Sequence, residues 1–136
     1  MISIRDHFVL TDEPERFDLP GIVKLLQSTY WAGQRSFEDI AESLTHSTCL
    51  ALTRDGETVG FVRAITDHSV NSYICDFIVA PAHQGQGLGT WMLERLMAHP
   101  SLSRTTQLLI TRDAAKFYEQ HEFTRHPFIC MGRRKH

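Results

Sequence analysis

The run over residues 73–79, Tyr-Ile-Cys-Asp-Phe-Ile-Val, stopped at Pro81 and followed by Gln84-Gly85-Gln86-Gly87-Leu88-Gly89-Thr90, constrains this chain more than any other segment. The run has the β-branched and aromatic content of a strand. Beyond the glycines, Leu88, Trp91, Met92, Leu96 and Met97 form one apolar stripe at helical spacing within residues 88–98, which Pro100 ends. A strand that feeds a helix through a short loop returns to the sheet as a parallel neighbour. The short apolar stretch 107–111 is the strand that can receive it.

The alternating Gly85, Gly87 and Gly89 let the backbone approach a ligand without Cβ clashes, and the following helix aims unpaired N–H groups and its positive dipole end at the same place. This is a phosphate cradle with pyrophosphate as its natural guest, or else a tight strand-to-helix turn with no ligand. A P-loop would need Gly-Lys-Ser/Thr at the end of the loop, and a dinucleotide fingerprint would need a glycine at Thr90. Neither is present.

The remaining segments fill out a mixed α/β (α+β) fold. Residues 2–5 and 8–10 predict an opening strand, broken by the charged turn 11–16. Asp18 with Pro20 predicts a helix carrying Ile22, Val23, Leu25, Leu26 and Tyr30, and Ser36 with Glu38 and Asp39 predicts a second one through Leu44. Strands follow over 49–53 and 58–66, joined by a turn containing Asp55-Gly56. Asp113 can cap a last helix bearing Ala114, Phe117, Tyr118 and His121, with closing strands at Phe123 and over 128–131. The result is a mixed, mostly antiparallel sheet with helices on both faces. Ligands of such sheets sit where strands part at their carboxyl ends.

At 136 residues the expectation is a single domain over 1–136. A formal net charge of −2 argues against a general nucleic-acid binder. Cys49, Cys75 and Cys130 are odd in number and lack ligand spacing, so they read as buried thiols of a reducing compartment. No metal site is expected from the scattered histidines, including His136. No signal pattern or span of ~20 apolar residues is present, and the expected location is the cytoplasm, without a membrane partner.

Asp76 stands out as a carboxylate inside an apolar strand. Strand alternation puts it on the face of Ile74 and Ile78, opposite Cys75, Phe77 and Val79. It reads as a general base or as an ion-pair anchor for Arg63, with ordered water as a third route for a proton. Tyr30, Trp31 and Phe61 form either an apolar wall of a ligand pocket or core. Arg35 and Arg63 fit a ligand carboxylate or structural pairing. Cys75 has an apolar flank and nothing that lowers its pKa, so no covalent nucleophile is expected.

Residues 77–89, Phe-Ile-Val-Ala-Pro-Ala-His-Gln-Gly-Gln-Gly-Leu-Gly, resemble the cofactor motif of the GNAT superfamily, the acyl-coenzyme A-dependent N-acyltransferases. Its (Gln/Arg)-x-x-Gly-x-(Gly/Ala) signature is filled by Gln84, Gly87 and Gly89. Residues 111–123 are similar to the family's second half, which ends in Tyr-Glu-Lys-x-Gly-Phe, with Glu122 in the place of the glycine and Thr111 in the place of a common asparagine. The resemblance implies splayed central parallel strands and acetyl-coenzyme A as acyl donor. It also implies pyrophosphate binding by the backbones of Gly85, Gln86, Gly87, Leu88, Gly89 and Thr90, beside Gln84. The pantetheine arm would lie along Phe77, Ile78 and Val79, with Val79 N–H at the thioester carbonyl, and Thr111 would touch the cofactor. Tyr118 would be the general acid that protonates the departing thiolate. The implied activity is acetyl transfer to a primary amine of a small molecule or protein in a ternary complex, with homodimerisation a family expectation. A non-catalytic acyl-coenzyme A sensor or adaptor is the alternative.

Overall fold

The computed structural model describes residues 1–135. Six strands form one sheet in sequence order: β1 (Ile2–Arg5), β2 (Phe8–Thr11), β3 (Thr48–Arg54), β4 (Glu57–Thr66), β5 (Asn71–Val79) and β6 (Thr106–Leu109). Every neighbouring pair is antiparallel except β5 and β6, which are parallel and joined through α3 (Leu88–Met97). The expected crossover is therefore present. The opening segment is a hairpin of two strands instead of one, turned at Asp6, whose φ is +54°.

Helices cover both faces. Leu88, Trp91, Met92, Leu93 and Leu96 of α3 pack with Leu10, Leu50, Leu52, Val62 and Ile74 on one side. On the other, Ile22, Val23, Leu25 and Leu26 of α1 (Leu19–Gln27) and Ile40 of α2 (Phe37–Thr45) pack with Cys49, Ala51 and Phe61. Ser36 caps α2 by accepting the Asp39 N–H at 3.0 Å. Asp18 stands at the N-cap of α1 without a side-chain capping bond, and α1 ends before Tyr30.

Two departures concern the strands that bear the site. Between β4 and β5, Arg63 faces Cys75 and Phe61 faces Ile78, so Asp76 and Phe77 together oppose Val62 alone. This is a β-bulge, and Asp76 takes φ +55° within it. The extra residue reverses the alternation: Ile74 packs into the α3 core and Ile78 against the α1 core. The shared face expected for Ile74, Asp76 and Ile78 is thus not formed, because the simple period of two stops at the bulge. The second departure is at the carboxyl end, where neither Phe123 nor residues 128–131 form a strand. Phe123 packs against the α3 core through its side chain, while Phe128, Ile129 and Met131 are exposed, as is Cys130, which was expected to be buried.

No helix among the described residues is long and apolar enough to cross a membrane, and no three of their His, Cys, Asp or Glu side chains are grouped to hold a metal. His136 lies outside the described residues.

Candidate active site

β5 and β6 pair only from Asn71 with Thr106 to Ile74 with Leu109. Residues 75–79 run on with one edge against β4 and the other open. A cleft of about 1080 Å³ occupies this opening. The glycine loop, the segment after β6, α4 (Ala115–Glu119) and the loop between α1 and α2 enclose it.

The loop has the backbone that its glycines permit. Gly85 takes φ +82° and Gly87 φ +83°, a region that costs an L-residue roughly 1–2 kcal/mol. A Cβ built on either would meet nothing within 4 Å. Space has been left on the loop's outer side, and Gly87 is also the N-cap of α3, where the first helical N–H groups lack helical partners. Among the residues expected to hold the donor, Gln84, Gly85, Gly87, Leu88, Gly89 and Thr90 line the cleft. Gln86 does not line it. The Gln84 side chain serves the loop itself, donating Nε2–H to the Val79 carbonyl at 2.8 Å.

Phe77, Ile78 and Val79 also line the cleft. Ala80 donates its N–H to the Val59 carbonyl at 2.8 Å across the β4 ladder. Successive groups of an extended strand alternate between its edges, so the preceding Val79 N–H faces the open side. Thr111 lines the cleft as well, and its Oγ1 accepts the Ala114 N–H at 3.0 Å. That bond closes the turn into α4, the task expected of Asp113, whose carboxylate pairs with Arg112 at 3.2 Å instead.

Tyr118 lies at the end of the cleft that borders the α3 core. Its ring meets Phe77, Phe117 and Phe123 edge-on at centroid separations of 6.2, 5.1 and 5.8 Å. Burial pushes its phenol up to about 12, so it holds its proton through neutral pH, and its hydroxyl makes no hydrogen bond among the described residues. The residue is buried but lines the cleft, so a hydroxyl without a protein partner there has a proton to give.

Asp76 lies across the bulge, with its side chain 2 % exposed. Arg63 Nε donates to Oδ2 at 2.7 Å, Arg35 Nη1 approaches both oxygens at 2.9 Å, and Trp31 Nε1 donates to Oδ1 at 3.2 Å. Four contacts occupy roughly the four acceptor positions of a carboxylate. This is the ion-pair arrangement read for Arg63, widened by two donors from the α1–α2 loop. Arg35 and Trp31 lie 41 and 45 residues from Asp76 in sequence, and no spacing announces them.

Tyr30 and Trp31 line the cleft, with the Arg112 guanidinium 3.8 Å from the Tyr30 ring centroid. Phe61 is fully buried in the α1 core and forms no part of the pocket wall. Cys75 reaches the cleft, but burial raises its thiol to about 11, which removes the thiolate that a nucleophile needs.

The sequence model described as an acetyltransferase (GNAT) domain matches residues 45–125. A candidate acetyltransferase of Gibberella zeae is 30% identical over 133 residues, covering 80% of this chain and 74% of its own length. An uncharacterised N-acetyltransferase of Porphyra purpurea is 28% identical over 138 residues, with 96% of this chain and 78% of that protein covered. A crystal structure from Xanthomonas campestris, of a protein assigned to the GNAT family, superposes with a TM-score of 0.87 at 29% identity, covering 97% of this chain and 96% of that one.

Proposed function

Because the chain belongs to the GNAT acetyltransferase family, we propose that it moves an acetyl group from acetyl-coenzyme A to a primary amine, by direct attack within a ternary complex. The observation that carries the reading is one cleft holding a positive-φ glycine loop, an unpaired strand edge and a protonated, unpartnered phenol. The loop and the first turn of α3 receive the pyrophosphate, since their N–H groups and the missing Cβ atoms leave both charge complement and room. The open edge of residues 77–79 receives the pantetheine arm as a further strand would be received.

In this proposal the Val79 N–H stabilises the oxyanion formed when the amine adds to the thioester carbonyl, a contribution of about 3 kcal/mol in comparable sites. Tyr118 gives its proton to the sulfur as the C–S bond breaks. The amine proton leaves through water, because the oxygens of Asp76 are held by arginine and indole donors; Asp76 positions Arg35 and Trp31 at the cleft. A sensor that only bound the donor would have no use for a protonated phenol at the end of the opening.

Calorimetric titration with acetyl-coenzyme A tests the site, with Gly87→Glu and Gly87→Ala as paired variants. Both carry the φ +83° strain, but only glutamate puts bulk and negative charge into the cradle. The expected result is saturable binding in the parent, retained within about tenfold in Gly87→Ala, and weakened about 100-fold or more in Gly87→Glu, which corresponds to ~2.7 kcal/mol. Equal binding by parent and Gly87→Glu would remove the loop from the donor site.

A further inference from the structure

The α1 side of the cleft carries more positive charge than its carboxylates neutralise. Arg35 and Arg63 share the single carboxylate of Asp76. Arg63 is buried, with Nε on Asp76 and Nη1 on the Ser47 hydroxyl at 2.9 Å, and it does not line the cleft. Arg35 differs: only Nη1 contacts Asp76, while Nε and Nη2 make no hydrogen bond among the described residues. Its side chain is 37 % exposed and lines the cleft. A guanidinium offers parallel donors along an edge that match a carboxylate's two oxygens, and Arg35 has left such donors unused.

Among the described residues, the surroundings do not supply the missing anion. Arg112 and Arg134 also line the cleft, and among the described residues the carboxylates in its lining, Asp76 and Asp113, are each already on an arginine. A cationic acceptor such as a polyamine or a lysine-rich tail would enter against like charge. The strand is also distorted here, with a non-glycine residue at positive φ, which brings Asp76 within reach of both arginines.

We infer that the acetyl acceptor is a small amine that carries its own carboxylate, and that this carboxylate seats on Arg35. The inference rests on the transferase reading and names the substrate class of the same site. The neutral amine nitrogen bonds to the acetyl carbonyl carbon, the C–S bond breaks, the sulfur leaves as the thiol with the Tyr118 proton, and the extra proton of the nitrogen passes to water, from which the Tyr118 phenolate takes a proton back. The products are an N-acetylated amino acid and free coenzyme A.

The test is release of coenzyme A with a panel of amino acids set beside the amines left by their decarboxylation, such as phenylalanine with phenethylamine and lysine with cadaverine. Binding of acetyl-coenzyme A is measured in parallel. The parent is expected to favour the carboxylated member of at least one pair by about 10- to 100-fold in kcat/KM, the range of a charge-assisted bidentate contact. Arg35→Gln is expected to bring that ratio close to one by raising KM for the carboxylated member, with Arg35→Lys in between. If Arg35 only ties the α1–α2 loop to β5, Arg35→Gln slows both members equally and the ratio stands, which overturns the inference. Donor binding with faster acetylation of the decarboxylated amines, or acetylation of none of the panel, also overturns it while leaving the donor site intact. Failure to bind acetyl-coenzyme A overturns the transferase reading and this inference together.

Discussion

Asp76 shows what single residues of this chain reveal and conceal. A carboxylate among Ile74, Cys75, Phe77 and Ile78 announces itself in sequence, and its pairing with Arg63 follows from adjacent strands. The bulge does not announce itself, because nothing in the residue types says that two positions will oppose one. Glu122 is a similar case. It replaces a glycine of the resembling motif and adopts φ +69°, so Glu122→Gly is expected to stabilise the protein by up to about 1 kcal/mol in urea denaturation, with the gain limited by the freedom glycine adds to the unfolded chain. Tyr118→Phe isolates the proton donor. It keeps the ring packing on Phe77, Phe117 and Phe123, so KM for acetyl-coenzyme A should hold while kcat falls about 100-fold or more. The phenol is raised from its usual value near 10 to about 12, so its protonated form persists further into alkali. Parent kcat should therefore show no loss from this group between about pH 7 and pH 10. An alkaline limb in that window that disappears in Tyr118→Phe would contradict the burial argument.

At the scale of elements, the strand–glycine loop–helix unit was legible because each part has a local physical signature: β-favouring residues, positive φ and a helical stripe. The parting of β5 from β6 was not legible from residue pattern, since 107–111 reads as a continuous apolar stretch although pairing stops at Leu109. Part of the geometry is fixed on the opposite edge of β5, where α3 lies close to the sheet over Gly60. A Cβ there would stand 3.0 Å from Met92 Sδ and 3.1 Å from Leu52 Cβ. The methionine can turn away, whereas the leucine Cβ is fixed by its strand. Gly60→Ala should therefore cost about 1–3 kcal/mol in chemical denaturation. Because the shift is passed along α3 toward Gly87, it should also weaken acetyl-coenzyme A binding by calorimetry. A variant as stable as the parent would mean that the helix stands further from the sheet than these contacts require.

At the scale of the whole molecule, element order and the placing of helices on both faces followed from the order of apolar patterns, and the resemblance supplied the parting of the parallel strands. The carboxyl end went otherwise. Phe128, Ile129 and Met131 have the composition of a strand, but composition cannot say whether a partner edge receives them, and here they are 77, 88 and 89 % exposed. The last apolar anchor on the α3 core is Phe123. The contact made by this segment to the rest of the protein through Lys135 and Asp39, 3.3 Å apart, is a surface ion pair of the kind that contributes little. Ending the chain after Arg125 should thus lower Tm by no more than about 4 °C, roughly the effect of 1 kcal/mol in a domain of this size. The same shortened protein removes Arg134 from the cleft lining while leaving the glycine loop, β5 and Tyr118 in place, so it should still bind acetyl-coenzyme A. A collapse of Tm by tens of degrees would show that residues 126–135 complete the sheet in solution, and the exposed apolar side chains would then have to be assigned to a seventh strand.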